Sequence, residues 1–189
     1  MSARRLPLSC LSRAVVLMLA LLPLACRSAD ELTEQESAAV DRTLDVMNRR
    51  LALMADVAKV KWKEQPISDP EREAKLLDAI ARRAEQQGMD AAFSREVVAA
   101  QVAAAKLVQQ AHFERWRNEG RGRFDDAVTL ASLRTRIDDV TRDLLDAADA
   151  LRPMLGRARV RRALEVRAAS VLADVSPEAR AAAMEPLLR

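Results

Sequence analysis

The chain has 189 residues, a formal net charge of +3, a single histidine, two cysteines and only 3% aromatic residues. Its positive charges are interspersed with negative ones and form no basic block, which argues against a nucleic-acid partner. Cys10 and Cys26 both lie near the start and His112 stands alone, so neither cysteine nor histidine offers a metal site and no metal is expected.

Arg4, Arg5 and Arg13 precede an uncharged apolar run over residues 14–24, which ends in Ala25-Cys26-Arg27-Ser28. A basic start, an apolar stretch of about a dozen residues and small residues after it have the form of a secretory signal peptide. The run is too short for a stable transmembrane helix. The expected organisation is a leader over 1–28, cleaved after Ser28, and one domain over 29–189 in an exported protein, periplasmic or secreted. Leu22-Pro23-Leu24-Ala25-Cys26 also loosely resembles a lipobox, with Pro23 where Leu is usual, so lipidation at Cys26 is the alternative. With both cysteines in the leader, the mature part must hold together by packing, without disulfides.

Four glycines, many alanines and near-continuous 3.6-residue periodicity point to an all-α bundle of about five to six helices. Thr33-Glu34-Gln35-Glu36 is a capping box that starts the first helix near 30–34. Val40, Leu44, Met47, Leu51, Met54 and Ala58 form its apolar stripe, and the helix is expected to run to Lys63, before Gln65-Pro66 breaks it. Asp69-Pro70 opens the second helix, with the aspartate as N-cap and the proline at the first position; Gly88 stops it. Its stripe reads Arg72, Leu76, Ile80 and then Arg83 or Ala84. Asp90 caps a third helix over 91–117, whose seam is Val98, Val102, Ala105, Gln109, His112 and Trp116. His112 reads as a satisfied, half-buried side chain.

Asn118 to Arg123 is the clearest loop. A fourth helix is expected over 125–152, with Leu130, Arg134, Ile137, Leu144, Ala148 and Leu151 inward, ended or kinked by Pro153. A fifth follows over 154–173, and Ser176-Pro177-Glu178 signals the start of a short last one. The active-site helices would thus occupy about 30–152, and the C-terminal helices 153–189.

The odd residues on these faces are polar. Arg50 and Lys61 are eleven positions apart on the first stripe, which stacks them about 16 Å apart along one side of an ideal helix. A cation in an apolar seam costs several kcal/mol unless paired. Both could snorkel or pair with carboxylates such as Asp56, Glu73 or Asp138. Arg72, Gln109 and Arg134 repeat the pattern on other helices, with Glu73 beside Arg72. Together they suit a small dianionic ligand inside the bundle, because arginine forks grip carboxylates in bidentate fashion. No nucleophile, carboxylate pair or Gly-rich loop accompanies them, so the chemistry that fits is catalysis by positioning and electrostatics.

The segments Arg50-Leu51, Val57-Ala58, Lys61-Trp62-Lys63, Pro66-Ile67, Asp69-Pro70, Arg72-Glu73, Gln101, Gln109 and Trp116-Arg117 resemble the all-helical chorismate mutases. The leader and the extra C-terminal helices resemble their secreted subclass. The resemblance implies rearrangement of chorismate to prephenate without a cofactor, in a homodimer whose chains each complete their own site. It implies that Arg50 and Arg134 clamp carboxylates and that Arg72 joins them. Glu73 would receive the substrate hydroxyl, and Asp69 would shape the same corner. Lys61 and Gln109 would be the catalytic pair, donating to the ether oxygen as its bond breaks.

Two departures stand out. Ala105 sits where relatives carry a Ser or Thr hydroxyl, and Gln109 sits where some secreted relatives carry Glu. An amide donates at any pH, so this group should cost no rate between about pH 5 and 8. Arg49 neighbours Arg50, but it points about 100° away, toward solvent. The rival enzyme with this fold is an isochorismate pyruvate-lyase; the rival of another class is a non-catalytic exported bundle or lipoprotein whose charges pair internally.

Overall fold

The computed structural model describes residues 31–125 and 128–189. The leader expectation, with Cys10 and Cys26, falls outside these residues. The described chain is all-α: α1 (Glu34–Ala52), α2 (Met54–Lys61), α3 (Pro70–Gln86), α4 (Ala91–Asn118), α5 (Leu130–Leu151), a 3₁₀ turn (Arg152–Met154), α6 (Ala158–Val171) and α7 (Pro177–Leu188). The expected helices are present, the first in two pieces.

Most starts and stops follow the side chains read from the sequence. Thr33 and Glu36 close a reciprocal capping box, Glu36 N to Thr33 Oγ1 at 3.1 Å and Thr33 N to Glu36 Oε2 at 2.8 Å. Asp69 accepts from Arg72 N at 3.1 Å, Asp90 from Phe93 N at 2.9 Å and Ser176 from Ala179 N at 3.2 Å. Gly88 ends α3 at φ 73. Met89 N reaches back to Ala84 O and Gly88 N to Glu85 O, a Schellman closure that glycine enters without a Cβ penalty.

Three stretches differ; the fifth helix, expected over 154–173, spans Ala158–Val171 after the 3₁₀ turn that holds Pro153. The first helix was expected to run unbroken to Lys63, but its ladder is interrupted at Leu53 and ends at Lys61. No proline or glycine marks the interruption. At the far end, Trp62 leaves the helix at ψ 122 and Lys63 takes the left-handed φ of 63. The fourth helix starts at Leu130 instead of 125, because Thr129 Oγ1 caps it by accepting from Ser132 N at 3.2 Å.

The long α4 packs against α2, α3, α5 and α7, while α1 lies against α5 and α6. One apolar core runs from Val40 through Leu44, Leu51, Leu133, Leu144 and Leu151 to Leu164 and Leu187. Each fully buried leucine of this kind contributes about 1.5–3 kcal/mol, so α6 and α7 belong to the same packed unit as the helices before them. A smaller aromatic cluster sits where α2 ends. Trp62 meets Trp116 edge-on at 5.7 Å, and Phe124 packs on Trp116 at 4.6 Å. Trp62 Nε1 donates to Gly122 O at 3.0 Å and Arg121 O at 3.3 Å, tying the loop after α4 to the residue that follows Lys61.

Candidate active site

A cavity of about 250 Å³ opens between α1, α2, α3, α4 and the start of α5. Arg50, Lys61, Asp69, Arg72, Glu73, Gln109 and Arg134 all line it, so every candidate residue from the sequence reaches one space. Met54, Val57, Leu76, Val102 and Ile137 supply apolar walls. Among the lining residues are five cations, counting Lys106, against the two carboxylates of Asp69 and Glu73. An anion fits such a field; a cation does not.

Arg50 is 3% exposed. Its Nε donates to Thr141 Oγ1 at 3.2 Å and its Nη1 to Gln101 O at 3.1 Å. These neutral partners fix the guanidinium without neutralising it. Burial pushes its pKa down to about 10, with Asp138 opposing, so it stays cationic at neutral pH. Arg49 lies on the outer side, paired with Asp143 at 3.2 Å and half-exposed. The position thus separates the neighbouring arginines as the helical geometry requires.

Lys61 reaches its place through the turn after α2. That turn brings Pro66-Ile67 back over the helix end, and Ile67 O accepts from Lys61 Nζ at 2.8 Å. One ammonium hydrogen is used and two remain. Burial, then Arg72, lowers the Lys61 pKa, against the pull of Asp69 and Glu73.

Gln109 is buried in the cavity wall. Its Nε2 donates to Ala105 O at 3.0 Å and faces Met54 Sδ at 3.8 Å, while its Oε1 has no partner in the chain. A register-fixing hydrogen bond between helices would explain a core glutamine, but the interhelix partner here is only a thioether, a weak acceptor. The second Nε2 hydrogen is therefore available to a better acceptor in the cavity. Ala105 itself lines the same wall with no hydroxyl to offer.

Arg72 and Arg134 are the outer cations. Among the described residues, no carboxylate lies within ion-pair distance of Arg50, Arg72 or Arg134. The carboxylates that might have matched them are engaged or too distant: Asp56 pairs with Lys59 at 3.4 Å and Glu73 with Lys106 at 2.8 Å, and Asp138 acts on Arg50 only through its field. Glu73 Oε1 also accepts from Ser68 Oγ at 3.1 Å and Asp69 N at 3.2 Å. Burial opposes ionisation of Glu73, but Lys106, Asp69 N and Ser68 outweigh it, and its pKa is lowered.

Sequence reasoning missed Lys106, Thr141 and Ser68. Lys106 sits one residue, about 100°, off the seam through Ala105 and Gln109, and only the packing of α3 on α4 reveals what it touches. Gln101 is also buried, and neither of its side-chain amide atoms finds a partner among the described residues. His112 lies away from the cavity, half-buried against Trp116, and its Nδ1 meets Arg115 Nη2 at 2.9 Å. No group of three or more described His, Cys, Asp or Glu side chains is arranged to hold a metal, and no described helix is long and apolar enough to cross a membrane.

Known proteins share this fold. Residues 34–110 match the model of the family described as chorismate mutase type II. The crystal structure of a chorismate mutase from Burkholderia thailandensis superposes with a TM-score of 0.71 at 32% identity, covering 79% of this chain and 99% of that one. That of Burkholderia phymatum gives 0.72 at 26% identity, covering 83% and 99%. A secreted chorismate mutase from Mycolicibacterium smegmatis is 25% identical over 128 residues, 67% of this chain and 71% of that protein.

Proposed function

The chain belongs to the chorismate mutase type II family, and on that premise we propose that it rearranges chorismate to prephenate in the cavity between α1 and α5. One observation carries the assignment to this site: the buried Arg50 and the outer Arg72 and Arg134 line a single cavity and have no carboxylate partner among the described residues. A desolvated cation without a counter-charge is a standing cost to folding. A dianionic substrate removes that cost on binding.

The reaction is intramolecular. The ether C–O bond breaks, a C–C bond forms, and no proton or electron enters or leaves, so the chain needs no acid–base pair and no cofactor. Arg50 and Arg134 grip the carboxylates and Arg72 completes the clamp, which confines the flexible enolpyruvyl arm near the carbon it attacks. Negative charge gathers on the ether oxygen as its bond lengthens. Lys61 Nζ keeps two hydrogens unused, and the Gln109 Nε2 contact with Met54 Sδ is weak enough to yield, so both can donate there. Such donors, fixed before the reaction, lower the barrier by roughly 3–4 kcal/mol each. Asp69, as the cap of α3, sets the angle at which Arg72 enters.

Export is part of the reading, supported by the leader pattern and by the secreted relative. A homodimer with a complete site in each chain follows from family likeness, and sedimentation of the purified protein would test it. For the activity itself, the protein is incubated separately with chorismate and with isochorismate and the products are separated by chromatography. Prephenate from the first is the expected result; salicylate and pyruvate from the second, with no prephenate, would move the assignment to a pyruvate-lyase.

A further inference from the structure

Glu73 and Lys106 form a link across the cavity wall that the reading above leaves unexplained. Lys106 Nζ lies 2.8 Å from Glu73 Oε2, and both residues line the cavity. The two side chains are partly buried, 34% exposed for Lys106 and 25% for Glu73. On the other oxygen, Ser68 Oγ donates at 3.1 Å and Asp69 N at 3.2 Å. An ionised carboxylate has about four acceptor positions. Three are therefore filled by the chain, from the loop, from the cap of α3 and from α4.

We propose that Lys106 is a positioning residue for substrate binding: it holds the Glu73 carboxylate in the orientation that leaves one acceptor position open to the substrate's ring hydroxyl. The inference rests on the assignment of chorismate to this cavity. The hydroxyl takes no part in bond breaking, so its contact is equally strong in the ground and transition states. Loss of such a contact raises KM and leaves kcat nearly unchanged.

The charged groups around Glu73 are Lys61 from α2, Asp69 and Arg72 at the start of α3, Lys106 from α4 and Arg134 from α5. Removing Lys106 takes away the neighbour that does most to keep Glu73 ionised, so burial then counts for more and the carboxyl takes up its proton at higher pH.

The test uses Lys106→Met, Lys106→Arg, Glu73→Gln and the double variant Glu73→Gln/Lys106→Met. Lys106→Met should raise KM about fivefold with kcat within twofold, and should move the acid limb of kcat/KM to higher pH. Lys106→Arg should restore both. In the Glu73→Gln background, Lys106→Met should add no further loss, because the pair acts as one unit. An unmoved acid limb, a loss in kcat instead of KM, or an equal loss in the Glu73→Gln background overturns the proposal while chorismate turnover by the parent stands. Absence of prephenate from the parent protein overturns the functional reading, and the proposal with it.

Discussion

The molecule buries charge in two places, and it treats them in opposite ways. At the start of α1, Glu36 is 0% exposed. Its Oε1 accepts from Arg157 Nη1 at 2.6 Å and Arg159 Nη2 at 2.8 Å, and its Oε2 from Arg159 Nε at 3.0 Å and Thr33 N at 2.8 Å. At the cavity, Arg50 is nearly as buried but meets only a hydroxyl and a backbone carbonyl. The first cluster is closed: the buried carboxylate is matched within the chain by two arginines, and the match fastens α6 to α1. The second is left open, with Arg50, Arg72 and Arg134 lacking a carboxylate partner among the described residues. A satisfied charge cluster is a structural joint, whereas an unsatisfied one marks where a ligand belongs.

The largest expected effect is on the open side. Lys61→Ala should lower kcat by about 10²–10³ without lowering the unfolding temperature, since Lys61 bonds only the Ile67 carbonyl and carries its charge at a desolvation cost. Steady-state rates and thermal unfolding followed by circular dichroism would check both halves. Arg72→Lys comes next, because an ammonium cannot reproduce a two-pronged grip on a carboxylate. Its kcat/KM should fall about tenfold, measured at saturating and limiting chorismate.

On the closed side the signs reverse. Glu36→Gln should keep kcat within about twofold, since Glu36 touches no cavity residue, yet lower the unfolding temperature by several degrees. The pH dependence follows from the two arginines and the Thr33 amide, which together hold the Glu36 carboxyl well below the usual carboxylate range. A depressed native pKa means that its stabilisation is fully present above the unfolded value, about 4.3, and is lost as pH falls below it toward the native one. The parent should therefore lose unfolding temperature below about pH 4.3 more steeply than Glu36→Gln does. Equal slopes would show that the clamp contributes nothing.

The smallest effect is an absence of one. Gln109 does not titrate, so kcat/KM should show no loss from this group between about pH 5 and 8. The alkaline limb belongs to Lys61, which donates only while protonated. Burial and the nearby Arg72 lower its pKa, so the limb should appear below the range of an ordinary lysine. A steep fall across pH 5–8 would contradict the assignment of Gln109 as a donor.

The closed cluster was half legible in the sequence and the open one almost wholly so, for different physical reasons. Thr33 and Glu36 announce a capping box because capping is local, set by a spacing of three residues. Nothing in that spacing shows that Arg157 and Arg159, more than a hundred residues on, fold back onto the same carboxylate. The cavity cations were visible because each breaks a periodic apolar stripe, and a broken pattern can be read without knowing the partner helix. Lys106 breaks no stripe, and Thr141 and Ser68 are ordinary helix and loop residues, so their roles appear only in three dimensions. The interruption at Leu53 left no mark either, since Leu53 stays in the right-handed helical region at φ −65 and ψ −17. Thr129, by contrast, is a readable cap that the expected start at 125 passed over.

The account stands most directly on Arg50. Replacing it by methionine, similar in length and uncharged, removes an unmatched buried cation together with the proposed grip on a substrate carboxylate. Chorismate consumption followed by absorbance, with thermal unfolding of the same sample, reads both consequences at once. The expected result is a fall in kcat/KM of about 10² or more with an unfolding temperature equal to or above that of the parent. A protein that unfolds at markedly lower temperature, beside a parent that does not consume chorismate, would mean that Arg50 is a joint like Glu36 and that the cavity is not a catalytic site.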